Sequence, residues 1–360
     1  MRFRIVLMLL LVLAVVAMPA CAKPAPGPTP TPTPTPQTHP EVLIYHLDLP
    51  MGIGETELHL GRDDLLSKTH PWLRTKTQET QGAIYDYKVM VDEPDRRKNT
   101  IWCADDATMF ILLPNKMAPF TDGFKGLKPR RLYAAAAWTW TLQTEDPKIQ
   151  TLKDLAGKRL ASGAKAGTMN WVVEQILTDA GIHDKVNWSH MTFADIASSL
   201  LGKTVDAGFV GFYSMPGNKD IILHPPFVEL QASGRPFHLV DWGKEIKYTV
   251  DRMGAPAYFT IPPNTLPGNI QPKDWMVLAM TGGQGCDATF PEDIAYELVK
   301  WTIANVNKFG DYQALGKLMT KESLCTGVPR NLLHPGALRA YEEAGLGKLL
   351  GPDVKLPEER

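Results

Sequence analysis

From Pro24 to Pro36 the chain alternates proline with small residues and closes in a Thr-Pro repeat, and such a stretch cannot pack. Proline fixes φ and supplies no backbone donor, so the tract behaves as a semi-rigid extended spacer rising about 3.1 Å per residue. The foldable body therefore starts near Glu41 and runs for about 320 residues, more than one hydrophobic core usually serves. Two lobes are expected.

Ahead of the spacer stand a basic start (Met1, Arg2, Phe3, Arg4), an apolar run from Ile5 to Met18 and the small residue Ala20. The run is short for a bilayer span, and the pattern reads as a cleavable secretory signal over residues 1–20. The setting Met18-Pro19-Ala20-Cys21 resembles a bacterial lipoprotein box. That resemblance implies lipidation of Cys21, with the linker over 21–40 holding the body off a membrane on the periplasmic or cell-surface side. Simple secretion is the alternative. No later apolar run is long enough to span a membrane.

A formal net charge of −1 gives no electrostatic reason to expect nucleic acid. The basic cluster Lys125, Lys128, Arg130 and Arg131 reads as a solvated loop. Setting Cys21 aside, the three remaining cysteines allow one disulfide at most within the chain. Cys286 and Cys325, each in a glycine-containing loop, are the expected pair, with Cys103 buried in an apolar stretch.

Along the body, strand-like and helix-like runs alternate. Strands are expected at Val42 to Leu47, Leu73 to Gln78, Thr100 to Ala104 and Val205 to Val210, and helices at Glu57 to Lys68, Gly82 to Val91, Met169 to Ala180 and Phe193 to Leu201. The apolar run Leu132 to Leu142 reads as a strand that could cross from one lobe to the other. The fold class is α/β.

Ligands in open α/β sheets bind beyond the carboxyl ends of strands, which selects four places. The first holds Gly54, Glu55 and Thr56; the second, Asp105 and Asp106; the third, Lys165, Gly167, Thr168, Met169 and Asn170; the fourth, Gly211, Phe212 and Tyr213. At the third, a strand, a small-residue loop and a helix start make an anion-receptive end, because the first helical N–H groups lack partners. An ordinary strand-to-helix turn is the competing reading. With Asp105 or Asp106 opposite, a zwitterion would find partners for both of its charges, whereas the alternative makes Asp105 a helix cap and leaves Asp106 facing water.

Enzyme signatures are missing. Gly52-Ile53-Gly54-Glu55-Thr56-Glu57 lacks the last glycine of a dinucleotide loop, no His-Glu-x-x-His or Cys-x-x-Cys occurs, and there is no Gly-x-Ser-x-Gly. His334 reads as fixing the start of a helix. No catalytic residue, metal or cofactor is expected.

Several segments in fixed order resemble the TAXI family, extracytoplasmic solute receptors of TRAP-type secondary transporters. They are Ile149 to Ala180, Thr192 to Ala197 with Val205 to Phe209, the loop Ala257 to Gly268, and Leu333-His334-Pro335-Gly336-Ala337-Leu338-Arg339-Ala340-Tyr341. The resemblance runs from about Arg131 to Gly345. It implies a two-lobed periplasmic-binding-protein fold, type II-like, with the ligand held between lobes by hinge closure, crossing strands at Tyr133 to Leu142 and Trp275 to Met280, lobe I over 41–132 and 277–360 and lobe II over 133–276. It further implies a monomeric receptor that captures a small anionic or zwitterionic organic solute, a carboxylate or an amino acid, and delivers it to a TRAP-type membrane subunit. An ABC-importer binding protein and a ligand-binding sensor feeding a signalling partner are the alternatives. The chain departs from the family at Gly52 to Leu58, at Leu266 where a tyrosine is usual, and at the bulkier Gly211-Phe212-Tyr213-Ser214.

Overall fold

The computed structural model describes residues 40–165, 167–215, 220–253 and 257–360. The signal, Cys21 and the Pro/Thr spacer lie outside them. No described helix is long and apolar enough to cross a membrane.

The body begins with β1 (Val42–Asp48), α1 (Gly54–Thr69), β2 (Leu73–Glu79), α2 (Ala83–Asp92) and β3 (Thr100–Asp105). The long strand β4 (Pro129–Thr144) leads to β5 (Arg159–Ser162), α3 (Thr168–Asp179), β6 (Asn187–His190), α4 (Phe193–Leu201) and β7 (Ala207–Ser214). Short elements follow: β8 (Ile222–Leu223), α5 (Pro225–Ala232), β9 (His238–Leu239), α6 (Glu245–Met253) and β10 (Ala257–Ile261). The second long strand, β11 (Trp275–Asp287), precedes α7 (Glu292–Asn305) and α8 (Pro335–Glu343).

The described strands join one mixed sheet in the order β2-β1-β3-β11-β4-β7-β5-β6. Read from either edge the order is the same: second strand, first, third, then a long strand arriving from the other half. Within each half the outer strands are parallel, as helical crossovers require, and β4 and β11 run antiparallel to each other and to their flanking strands. The result is a two-lobed α/β fold built on a shared central pair. β4 is buried along nearly its whole length, which explains why Ala134 to Trp140 reads as a continuous apolar run rather than an alternating one.

Most expected elements stand within a few residues of where the sequence puts them, and several details are corrected. Gly54, Glu55 and Thr56 do not form a strand-exit loop; they begin α1, where Thr56 Oγ1 donates to the Leu49 carbonyl at 2.9 Å. Gly211, Phe212 and Tyr213 lie inside β7, not beyond its end, because the strand continues past Val210 to pair with β4. Arg130 and Arg131 are not in a solvated loop: both belong to β4, Arg131 is buried, and they pair with Glu358 and Asp106. Cys286 and Cys325 are buried free thiols, as is Cys103. His334 does fix a helix start, accepting the Gly336 N–H at 3.3 Å at the head of α8.

A Cβ added at Gly211 would stand 2.1 Å from the Thr139 carbonyl oxygen on the neighbouring strand, so this glycine serves the close approach of β7 to β4. Gly211→Ala is therefore expected to lower stability by about 1–3 kcal/mol or more through overpacking, read as a drop in the urea midpoint.

Candidate functional site

Where the two halves of the sheet meet, a small cavity of about 80 Å³ opens. One wall comes from the first half, at Leu49 to Ile53 after β1 and at Gln81 to Ala83 where α2 begins. The opposite wall comes from the second half, at the loop after β5, the first residues of α3, and Thr192 and Phe193. The central strands supply the floor: Trp138 and Trp140 from β4, Met280 from β11. Because side chains alternate along a strand, Trp138 and Trp140 share a face.

Four rings follow one another along one side. Phe193 lies 4.5 Å from Trp140, Trp140 is edge-on to His224 at 5.2 Å, and His224 lies 4.2 Å from Tyr213, centroid to centroid. His224 sits just before α5, at its N-cap. Burial pushes its ring down to about 3, so it is neutral at physiological pH. A wider recess of about 650 Å³ shares Pro50, Gln81 and Ala164 with the cavity and carries Lys165, Trp171 and Glu174.

The sequence candidates separate into distinct environments. Gly167, Thr168, Met169, Asn170 and Tyr213 line the cavity. Gly167 is the N-cap of α3 and Thr168 its first helical residue. Lys165 is exposed in the outer recess. Phe212 is fully buried in an apolar cluster with Ile196, Phe227 and Leu266. Gly54 packs against the Gln313 amide.

Asp105 and Asp106 are both spent inside the protein. Asp105, at the end of β3, accepts the Thr108 N–H at 2.7 Å and the Thr168 hydroxyl at 3.1 Å. This carboxylate from the first half thus sits at the head of α3 in the second. Burial raises it to about 6, against the hydrogen bonds from Thr108 and Thr168 that hold it down. Asp106 accepts from Arg131 Nη2 at 2.7 Å.

Behind the cavity lies a buried polar network. His59 Nδ1 donates to Asp48 Oδ2 at 2.7 Å, and Gln284 Nε2 lies 3.3 Å from His59 Nε2. Arg62 Nη2 donates to His46 Nδ1 at 3.0 Å. His46, Asp48 and His59 bring ligand-type atoms within 4.8 Å of one another, but the donor set does not suit a cation. A guanidinium can only donate, so His46 Nδ1 accepts, and Nε2 carries the proton that a metal would have to displace. Burial, then Arg62 and His59, push His46 well below its usual range.

Glu55 stands beside this network, fully buried. Burial and the Asp48 charge raise its carboxyl well above the usual range, opposed by the Trp138 indole N–H and Arg131. Such a group holds its proton longer in the folded than in the unfolded chain, so its contribution is fully present below about pH 4.5 and is lost as pH rises through the folded value. Glu55→Gln removes that dependence. The variant is expected to gain stability over the wild type as pH rises from 4.5 towards 8, the difference vanishing at acid pH, in paired urea titrations.

Trp138, Trp140, Phe193, His224 and Met280 escaped the sequence-based choice of site residues. The alternation Trp138-Thr139-Trp140 was the one available signal, since it places two indoles on one face; nothing near His224-Pro225 marks that histidine.

A family model described as the NMT1-like family matches residues 132–345. No curated protein matches the chain. Among solved structures, the chain is similar to MatC from Rhodopseudomonas palustris with bound malate, at 12% identity over 86% of this chain and 99% of that one, TM-score 0.49. It is also similar to a putative L-cystine ABC transporter from Listeria monocytogenes, at 14% identity over 78% and 99%, TM-score 0.41. A third similarity is to the periplasmic aliphatic sulphonate binding protein SsuA from Escherichia coli, at 15% identity over 87% and 85%, TM-score 0.39.

Proposed function

The chain belongs to the NMT1-like family, whose model covers more than half of it, and from that premise we propose that it is an extracytoplasmic receptor for a small organic solute. The observation that carries this reading is the aromatic cavity at the meeting of the sheet halves, with walls from both. A solute touching both walls favours the state in which they are close, and a membrane partner can read that closed shape. Lobe I, 41–132 with 277–360, closes against lobe II, 133–276, about the strands that cross between them.

Within the family, the motifs between Ile149 and Tyr341 favour a TAXI-type receptor serving a TRAP-type transporter. The N-terminal signal and Cys21 favour a monomeric, lipid-anchored protein held off the membrane by the Pro/Thr spacer. The reading assigns no covalent chemistry. An anionic or zwitterionic ligand rested on the helix start at Thr168 to Asn170, with Lys165, facing Asp105 and Asp106; the helix start lines the cavity, whereas Lys165 is in the outer recess and both carboxylates have internal donors, so the ligand is kept here at a small organic solute.

Purified from its host and then denatured, the protein is expected to release one small organic compound at about one per chain, identified by mass spectrometry. Re-added, that compound should quench the fluorescence of Trp138 and Trp140 and stabilise the fold by about 2.7 kcal/mol at a hundredfold excess over Kd. No compound from any host or growth medium would sink the receptor reading. Uptake of the compound by cells should collapse with an ionophore and persist when ATP hydrolysis is blocked; the reverse would replace the TRAP-type partner with an ABC importer.

A further inference from the structure

Five of the described helices begin at the cavity, α1 to α5, and their heads are not equivalent. At α1 the Tyr213 hydroxyl, reaching over from the second half, takes the N–H groups of Gly54 and Glu55. At α4 Asp195 stands in the first turn, bonded to the Thr192 hydroxyl at 2.6 Å. At α5 the first two residues are Pro225 and Pro226, which have no N–H to offer.

The heads of α2 and α3 remain, and they stand on opposite walls. Among the described residues no acceptor meets the N–H groups of Ala83, Ile84 and Tyr85 at the one, or those of Thr168, Met169 and Asn170 at the other. Both caps are glycines, Gly82 and Gly167, so neither first turn is covered by a capping side chain. Gly82 has φ +124°, a conformation that glycine alone adopts readily. Two buried carboxyls lie near these heads without taking an N–H from them. Asp86 accepts from the Thr80 hydroxyl, and burial holds it well above the usual range; Asp105 accepts the Thr108 N–H and the Thr168 hydroxyl.

The floor makes the same demand. Trp138 Nε1 and Trp140 Nε1 are buried donors without a hydrogen-bond partner, on residues each 5% exposed. No charged side chain lines the cavity, so an incoming charge is met by backbone N–H groups, two helix dipoles and two indoles, all favouring an anion. Of the other unpartnered wall atoms, His224 Nε2 belongs to a neutral ring, and Asn170 Oδ1 is an acceptor, its Nδ2 being committed to Glu174 at 2.8 Å. That acceptor would suit a neutral amide, which makes the amide the necessary control.

Size narrows the choice. About 80 Å³ is roughly half of the ~150 Å³ cavity that takes up benzene, room for about four heavy atoms rather than six. The apolar walls at Leu49, Phe193 and Met280 favour an anion with an alkyl end over a fully hydrated inorganic one.

Resting on the receptor reading above, we infer that the heads of α2 and α3 form an anion clamp between the two halves, and that the solute is a compact monocarboxylate such as acetate or propionate. Its carboxylate is shared by the two heads and the indole N–H groups, and its alkyl end packs against Phe193 and Met280. An anion held by helix heads from opposite halves favours the state in which the walls are close.

The test titrates the full chain by calorimetry, after exhaustive dialysis and at neutral pH, with acetate and propionate against acetamide and propionamide. Nitrate, glutamate and malate complete the panel. The two carboxylates are expected to bind at least about tenfold tighter than their amides, and glutamate and malate not at all. Trp140→Phe keeps a ring and removes the N–H; it should weaken acetate by about tenfold. Asp105→Asn keeps an acceptor for the Thr108 N–H and removes the charge behind the head of α3; it should tighten acetate by at least about threefold, the opposite of what loss of a merely structural contact would do. Should either variant fold poorly, the wild-type comparison decides by itself. Amides binding as tightly as the carboxylates would overturn the clamp. Glutamate or malate binding more tightly than acetate would overturn the compact size, and nitrate doing so would overturn the alkyl end. Folded protein that binds neither acetate nor propionate would overturn the ligand class, while the receptor reading is judged separately by the compound released on denaturation.

Discussion

The pairing of β4 with β11 is the constraint on which the rest depends. Each strand is the last member of one half of the sheet and the neighbour of the other, and they pair from Leu278 opposite Trp140 to Asp287 opposite Pro129. Two register shifts interrupt the ladder, between Gly282 and Gly283 and between Gln284 and Gly285. At the first, a Cβ on Gly282 would stand 2.4 Å from the Trp138 ring and one on Gly283 would stand 2.1 Å from the Tyr133 carbonyl. Only glycine opposite the alanine run lets the backbones approach this closely while a full indole lies across them. Bulges of this kind raise the local twist and bend the strand. The bulged pair thus runs between the two halves of the sheet, and Trp138, Trp140 and Met280 on it line the cavity.

The same geometry explains what the sequence made legible. Alternation of strands and helices fixed the α/β class, and the two apolar runs at Tyr133 to Leu142 and Trp275 to Met280 marked the crossing strands because each is covered on both faces. The head of α3 was legible too, since a small-residue loop ahead of a helix has few other structural readings. Glu55 and Phe212 were misplaced for one reason: a strand or helix boundary moved by a few residues turns a loop residue into a buried one. Gly211 was taken for an exit because glycine usually ends a strand, whereas here β4 requires it inside the strand. The floor of the cavity escaped because Trp138 and Trp140 have the composition of core residues, and only the curvature of the sheet shows that one of their sides borders open space.

Charge in this body is arranged away from the cavity. Asp105, Asp106, Arg131, Asp48 and Arg62 lie close behind its walls, yet each is tied to a donor or an acceptor within the fold. Burying such groups is costly unless they are paired, and the pairing fixes several of the elements that shape the walls. Asp105 is the clearest case. It ends a strand of one half and holds the first residue of a helix in the other, so the head of α3 is anchored to β3 before any solute arrives.

That anchor bears on how closure can work. A binding site whose walls were joined by a ligand alone would be free to open widely when empty; here Asp105, Thr108 and Thr168 form a closed triangle of hydrogen bonds, with 3.0 Å between the two threonine hydroxyls. Opening must either break that triangle or pivot about it. Pivoting is the less costly route, since breaking it would leave a buried carboxylate with fewer donors. The triangle lies at one end of the cavity, beside Thr168, while Pro50, Gln81 and Ala164 border the wider recess. On the receptor reading proposed above, a rotation about the first point would part the second, at Pro50, Gln81 and Ala164, which border the recess that carries Lys165 and Trp171.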